Sequence, residues 1–463
     1  MRKTIFKNIL YVFSIFPLVM LTISSNVSAQ TVMTMPDVST EMLDPQYWID
    51  KLDDAGEIIM TADNIQSFNE DIRSELSDYV VDLKTLPKCK SKTALEQCIN
   101  IDFPKEAAYV DEKKLEEDYW TDLRKQLNLQ GLQDINPVQY GFTVRRTNLK
   151  IFPTPDIISD AADDPAYDQF QNSAVLACEP ILIYHQSLDN KWLYVQMYNC
   201  GGWVQAFDVG ICPDWESWLK YQEKDEFLVV TGNKIKLDSN FEAPEISNME
   251  FSMGTILTLA DKSEIPAFID GRVPYDSYVV KIPVRRSDGA FSYKLALIPV
   301  SKDVSAGFLS YTRDNIIRQA FKTLGDRYGW GGMLEARDCS ALVLEIFRCF
   351  GFELPRNSQP QGMGPGKISN LSELCIPCKS KLLDELLPGA TLHFPGHVMI
   401  YLGKDKGRYY VISALGSFAE FDSQSDVAKI IRTRTVVVND LNIKRANGKQ
   451  WLEALTAAKQ WEE

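Results

Sequence analysis

Histidine is the scarcest functional residue in this chain, with three in 463 residues: His185, His393 and His397. So few scattered imidazoles make a poor zinc site, and no His-Glu-x-x-His stretch occurs, so no metal or other cofactor is implied. Any imidazole chemistry near neutral pH must use one of these three. Long apolar runs are equally rare. Only Ile9 to Ile23 qualifies, and no other segment is apolar enough to span a bilayer. Positive charge is in deficit too, at 49 basic against 63 acidic residues. That argues against nucleic acid and anionic surfaces as main partners.

The apolar run follows Arg2, Lys3 and Lys7 and ends before Val27-Ser28-Ala29, a small-residue cleavage signature. Residues 1–29 therefore read as a signal peptide, with an uncleaved anchor as the alternative. No cysteine follows the run, which argues against a lipoprotein anchor. Cleavage would leave an exported chain, periplasmic or extracellular, of net charge −17 with no stable membrane insertion.

The length suggests three or four domains. Residues 30–45 have no clear period and read as a flexible leader. Residues 46–135 are mainly helical in pattern: Ile65, Phe68, Ile72, Leu76 and Val80 recur at three- and four-residue steps, and Lys113 to Leu127 reads as a charged amphipathic helix. From 136 to 222 the texture becomes short strands, as in Pro180-Ile-Leu-Ile-Tyr-His, and it repeats over 223–304; two small barrels are expected. The aromatics of 192–203 read as core, and His185 as a core or rim residue. Residues 305–463 mix helices and strands. The expected class is a multidomain α+β protein.

In this last region a glycine-rich stretch, Tyr328-Gly-Trp-Gly-Gly, runs into Asp338-Cys-Ser. Leu342, Val343, Ile346, Phe347 and Phe350 follow at helical spacing, with Gly351 at the C-terminal end. Asp338 reads as N-cap and Cys339 as the first helical residue. A thiol there faces unpaired N–H groups and the positive end of the helix dipole, which favour the thiolate nucleophile. If Cys339 stays reduced, the other eight of nine cysteines could form four disulfides or none. Cys89 and Cys98, and Cys375 and Cys378, are close in sequence, but spacing does not settle connectivity.

A cysteine nucleophile needs a base. His397 opens a strand in the same region; His393 is the rival, four residues earlier across Pro395. If residues 403–407 close a hairpin, His397 faces Ser413 on the returning strand, close enough for a hydroxyl to orient the ring.

Tyr-Gly-Trp-Gly-Gly, Asp-Cys-Ser, Leu354-Pro-Arg-Asn-Ser-x-x-Gln and Gly396-His-Val-x-Ile-Tyr-Leu-Gly resemble the NlpC family of bacterial cell-wall cysteine peptidases over about residues 308–440. The upstream chain is similar to a subgroup with a helical stabilising region and two bacterial SH3-like barrels. The resemblance implies a papain-like domain that hydrolyses amide bonds in peptidoglycan stem peptides or muropeptides, often at γ-D-glutamyl-diaminopimelate. It implies Cys339 as nucleophile, His397 as base and Ser413 at a third position that is usually His, Asn or Gln. It also implies a cleft lined by Tyr328, Asp338, Ser340 and Ser358. The first barrel would close one end of the groove, favouring a free N-terminal L-Ala amine held by Asp338 and Tyr328, with Glu179 contributing. Two other readings stay open: a non-catalytic wall-binding protein, and a papain-like amidase or acyltransferase on another substrate.

Overall fold

The computed structural model describes residues 32–462 apart from 105, 163, 223–225 and 422–426. The expected signal peptide lies outside the described residues. Among those described, no helix is long and apolar enough to cross a membrane.

Two-residue alternation builds the first barrel. In the strand Pro180–Gln186, Ile181 and Ile183 point inward to join Leu149, Val175, Leu193, Val195, Val204 and Val209. Leu182 and Tyr184 point outward, onto a second core with Phe142, Phe152, Trp192, Trp203 and Trp218. The seven strands run in the order Val209–Ile211, Gln139–Thr143, Pro180–Gln186, Trp192–Gln196, Gly201–Gln205, Thr147–Lys150, Gln171–Val175. The aromatics Trp192 and Trp203 are thus packing residues. His185 places Nε2 3.1 Å from the carbonyl oxygens of both Leu127 and Asn128, bracing the end of a neighbouring helix.

The N-terminal region serves two cores rather than forming its own layer. Leu95, Ile99, Leu123 and Leu127, from the helices Lys92–Ile99 and Glu117–Gln126 and the residue after, cover the outer face of the barrel. Residues before about 80 join the C-terminal core instead: Ile65, Phe68 and Ile72 of the helix Ala62–Glu75 pack there. Two expectations need correction. The leader is folded over residues 35–45, where Val38 and Met42 are buried and the Trp48 indole donates to the Met42 carbonyl oxygen at 3.0 Å. The charged segment from Lys113 is helical only from Glu117, because Lys113–Lys114 pairs with Tyr109–Val110 as a short hairpin.

The second barrel region is a five-stranded sheet, ordered Phe291–Pro299, Ser277–Arg285, Ile256–Leu259, Phe227–Val230, Val304–Ala306, around Leu228, Val230, Val280 and Ile282.

In the C-terminal region the helix Cys339–Arg348 packs on a six-stranded antiparallel sheet. Its order is Lys367–Asn370, Ala457–Gln460, Thr391–Phe394, His397–Asp405, Arg408–Leu415, Thr435–Asp440. Leu342, Val343, Ile346 and Phe347 meet Val398, Ile400, Ile412, Ala414, Val436 and Val438. Each such buried side chain contributes roughly 2 kcal/mol of transfer free energy. The opposite face of the sheet, with Met399, Tyr401 and Val411, is covered by Leu383 of the helix Ile376–Glu385.

The first barrel and this domain are tightly joined. Gly331 and Gly332 both have positive φ, and an added Cβ would lie 2.7 Å from the Gln171 backbone oxygen and 2.6 Å from the Ala174 Cβ respectively. The glycine-rich loop is therefore the surface on which the barrel sits. A second link is buried: Arg348, at the far end of the Cys339 helix, donates to Glu179 at 2.5 Å, with side-chain exposures of 11% and 7%. Removing one partner of a buried ion pair typically costs about 3–5 kcal/mol, whereas replacing both with apolar groups is often neutral. Arg348→Met should therefore lower the unfolding free energy by an amount of that order, and Arg348→Met with Glu179→Leu should recover most of it. Denaturant titration of the three proteins checks this, and equal losses in single and double variants would contradict it.

Candidate active site

Asp338 caps the helix as the sequence suggests, its side chain accepting from the Ala341 N–H at 2.8 Å. Cys339 is the first helical residue and is buried. The capping carboxylate does more than cap. It also accepts from the Gly331 N–H at 3.0 Å, the Ser340 hydroxyl at 3.1 Å and the Arg356 guanidinium at 3.2 and 2.7 Å. Arg356 goes on to Ser340 Oγ at 2.9 Å and to Ser173 Oγ of the first barrel at 2.6 Å. Burial alone would push the Asp338 carboxyl up, but Arg356 and the other donors hold it below the ordinary carboxylate range. Asp338 and Ser340 are thus part of the framework behind the thiol. Gln361 adds to it, donating to the Ser340 carbonyl oxygen at 3.1 Å.

The thiol faces the strand His397–Asp405 across the helix–strand contact. The Val398 N–H, one residue past His397, is among the groups that favour the thiolate form of Cys339. His397 is buried, its ring between Phe394, 5.3 Å away centre to centre, and Trp451, 5.0 Å away at 62°. Its Nε2 lies 3.2 Å from Ser413 Oγ. The pair forms by a different register from the expected one. The turn is the two residues Lys406-Gly407, which slides the pairing by three, and a bulge at Leu402 takes one back. The net slip is two, an even number, so both side chains keep the same face and meet on the diagonal.

His393 is not a strand neighbour in line with His397. The chain folds back at Pro395-Gly396, so His393 sits on the adjacent strand opposite Val398. Both its nitrogens are engaged, Nδ1 with the Ser358 carbonyl oxygen at 3.2 Å and Nε2 with Thr391 Oγ1 at 2.9 Å. Ser358 contributes its backbone there, from the first turn of the short helix Ser358–Gln361. Glu179 needs correction as a site residue. Its carboxylate is paired to Arg348, nine residues along the helix from Cys339 and about 13 Å away at the helical rise.

Electrostatics also depart from the sequence reading. Burial pushes the Cys339 thiol up to about 12, with Asp338 adding to the shift, and the Val398 and Ser340 N–H groups and Arg356 only partly oppose it. Burial likewise pulls His397 down to about 3, assisted by the Arg445 charge and opposed by Asp338. Burial thus disfavours the charged form of both the Cys339 thiol and the His397 imidazole. Tyr328 is half-buried near both Cys339 and Asp338, and burial raises its phenol. Tyr167, from the barrel, packs 6.3 Å from Tyr328 and 5.7 Å from Trp330, completing an aromatic wall. The barrel segment bearing Tyr167 is tied down by Asp164, which accepts from Arg434 at 2.7 Å on both oxygens.

Sequence reasoning missed Tyr167, Trp451 and the role of Arg356. Arg356 and Gln361 lay within a motif already singled out. Tyr167 and Trp451 carried no local signal, since both arrive from distant segments.

Because Arg445 disfavours the imidazolium, Arg445→Gln should move the His397 midpoint upward from its low native value. Titration of the ring proton by NMR checks the direction. For the same reason stability should fall on acidification from about 6.5 toward 3, as the unfolded chain takes up protons that the folded His393 and His397 refuse. A pH-independent unfolding free energy over that window would contradict it.

Residues 325–457 match the NlpC/P60 family, and residues 157–205 match the SH3 domain of SH3b1 type. Dipeptidyl-peptidase 6 of Lysinibacillus sphaericus is 23% identical over 277 residues, covering 58% of this chain and 84% of that protein. An NlpC/P60 endopeptidase from Photobacterium damselae subsp. piscicida has a solved structure with TM-score 0.72 at 18% identity, covering 93% of this chain and 98% of that one. An NlpC/P60 family protein from Bacillus cereus gives TM-score 0.45 at 15% identity, over 70% of this chain and 100% of that one. The chain is a multidomain α+β protein that joins an SH3b-type domain to a C-terminal NlpC/P60 domain of papain-like fold.

Proposed function

We propose that this protein is a cysteine peptidase that hydrolyses amide bonds in peptidoglycan stem peptides. The observation that carries this reading is the convergence of Cys339 at a helix start, the His397 strand beside it, and Ser413 on the His397 ring, inside an NlpC/P60 domain. Ser413 occupies Nε2, which leaves Nδ1 of His397 for the thiol.

From a neutral pair, the thiol proton passes to His397 as Sγ attacks the substrate carbonyl carbon. Charge that develops on the carbonyl oxygen would meet the backbone N–H of Cys339 at the helix start. His397 then protonates the leaving amine as the C–N bond breaks; it next takes a proton from water, whose oxygen attacks the acyl carbon, and returns that proton to Cys339 Sγ as the C–S bond breaks and the carboxylic acid leaves. Phe394 and Trp451 hold the imidazole plane and keep water from it. The hydroxyl of Ser413 supplies one neutral hydrogen bond where an amide or second imidazole would supply a stronger one.

The finer reading is cleavage of γ-D-glutamyl-diaminopimelate in short stems with a free N-terminal L-Ala. The barrel's position supports it: Tyr167 and Asp164 bring barrel residues against Tyr328 and Arg434, which narrows the groove at that end. The five donors on Asp338 leave little capacity for an incoming ammonium, so Tyr328 and the barrel segment bear more of the amine end than Asp338 does. An end-closed groove admits a short stem and rejects one still attached to muramic acid.

Two outcomes test this. Cys339→Ala and His397→Ala should each abolish hydrolysis of muropeptides with the fold retained, while Ser413→Ala should cost about 1 kcal/mol, roughly five-fold in kcat/KM. Appreciable turnover by the Cys339→Ala protein would remove the mechanism. Separately, L-Ala-γ-D-Glu-diaminopimelate should be cleaved far faster than its N-acetylated form, and Asp164→Asn, which frees the barrel segment, should narrow the gap. Equal rates on both peptides in the native protein would mean an open groove.

A further inference from the structure

All nine cysteines are free thiols in this structure, so none of the disulfides the sequence allowed is formed. Cys339, Cys349 and Cys212 are buried, and Cys178 and Cys200 are half-buried. Of the four exposed ones, Cys375 and Cys378 stand out because their sulfurs lie 2.7 Å apart, in hydrogen-bond contact. They flank Ile376-Pro377 at the start of the helix Ile376–Glu385, with Cys375 as N-cap.

We propose that Cys375 and Cys378 form a second reactive site, a surface dithiol that exchanges with small disulfides and closes reversibly into an intramolecular disulfide. Three features carry it. The sulfurs are preassembled, needing to approach by only about 0.7 Å to reach bonding distance. The turn that bears them is fixed: Lys379, the next residue, donates to the carbonyl oxygens of Glu453 and Leu455, both at 2.7 Å, and Leu383 is fully buried. The residues before and between them, Leu374 and Ile376, are exposed at 38% and 41%, so a disulfide in solution has access.

The two thiols differ. The Cys378 thiol beside it favours the thiolate at Cys375, and the helix start acts in the same direction, while Cys378 is shifted the opposite way. Cys375 is therefore the attacking sulfur. Its thiolate displaces one thiolate from a disulfide R–S–S–R, forming a mixed disulfide. Cys378 then gives up its proton and attacks the Cys375 sulfur, releasing the second R–S⁻. Two thiols of the protein are oxidised, one R–S–S–R is reduced to two R–SH, and the protons of the dithiol end on the released thiols. Cys339, buried and held as the neutral thiol, stays outside this exchange.

The test uses the reduced full chain with oxidised glutathione, quenched at intervals by alkylation and mapped by peptide mass. The Cys375–Cys378 disulfide should appear roughly ten-fold faster than any other thiol is lost, and should reopen with reduced glutathione. Cys378→Ser should accumulate glutathione on Cys375, and Cys375→Ser should leave Cys378 largely unmodified. The proposal is overturned if the pair stays alkylatable throughout, if Cys89 and Cys98 react as fast, or if Cys378 proves the glutathionylated residue.

Discussion

The Asp338–Arg356 ion pair is the constraint on which the site depends. Three chain segments meet on it: the start of the Cys339 helix, the 354–361 segment that supplies Arg356, 18 residues from Asp338, and the barrel strand that offers Ser173, 183 residues from Arg356. The pair is enclosed, so its strength depends on every remaining donor being placed, and Gly331, Ser340 and Ala341 place them. The helix start, and with it the thiol, is thereby fixed relative to the barrel. A capping residue that served only its own helix would give no such connection.

Burial then sets the chemistry. The same enclosure that fixes the thiol also disfavours its charge, and the Val398 and Ser340 N–H groups and Arg356 only partly offset that cost. His397 experiences the matching effect from the other side. Burial disfavours charge on both groups, and in the proposed mechanism an incoming carbonyl that accepts the charge would allow the proton to move. Phe394 and Trp451 around the imidazole belong to this arrangement, because apolar rings deepen the desolvation that keeps it neutral.

The barrel is a structural part of this centre. Its strand Gln171–Val175 rests on Gly331 and Gly332, its Ser173 meets Arg356, its Glu179 is buried against Arg348, and its Tyr167 reaches Tyr328. The glycine-rich loop thus answers to a packing demand at least as much as to turn geometry.

Local physics made much of this legible. Helical period and capping chemistry located the helix from Cys339 to Arg348, and two-residue alternation located the barrel strands. The His397–Ser413 contact was reachable from sequence for a parity reason: the true register differs by two, and an even slip preserves the face. A turn one residue longer would have hidden it. What the sequence could not carry were the relations between segments. Glu179 was expected to contribute to the amine end of the groove and is instead buried because Arg348 meets it from 169 residues away. Residues 35–45 looked featureless because their few apolar side chains find their core only in the C-terminal domain. The sequence reading favoured the thiolate, since residue type and helix position set the direction of one contribution; only the packed structure sets how much water remains, and burial pushes the thiol the other way.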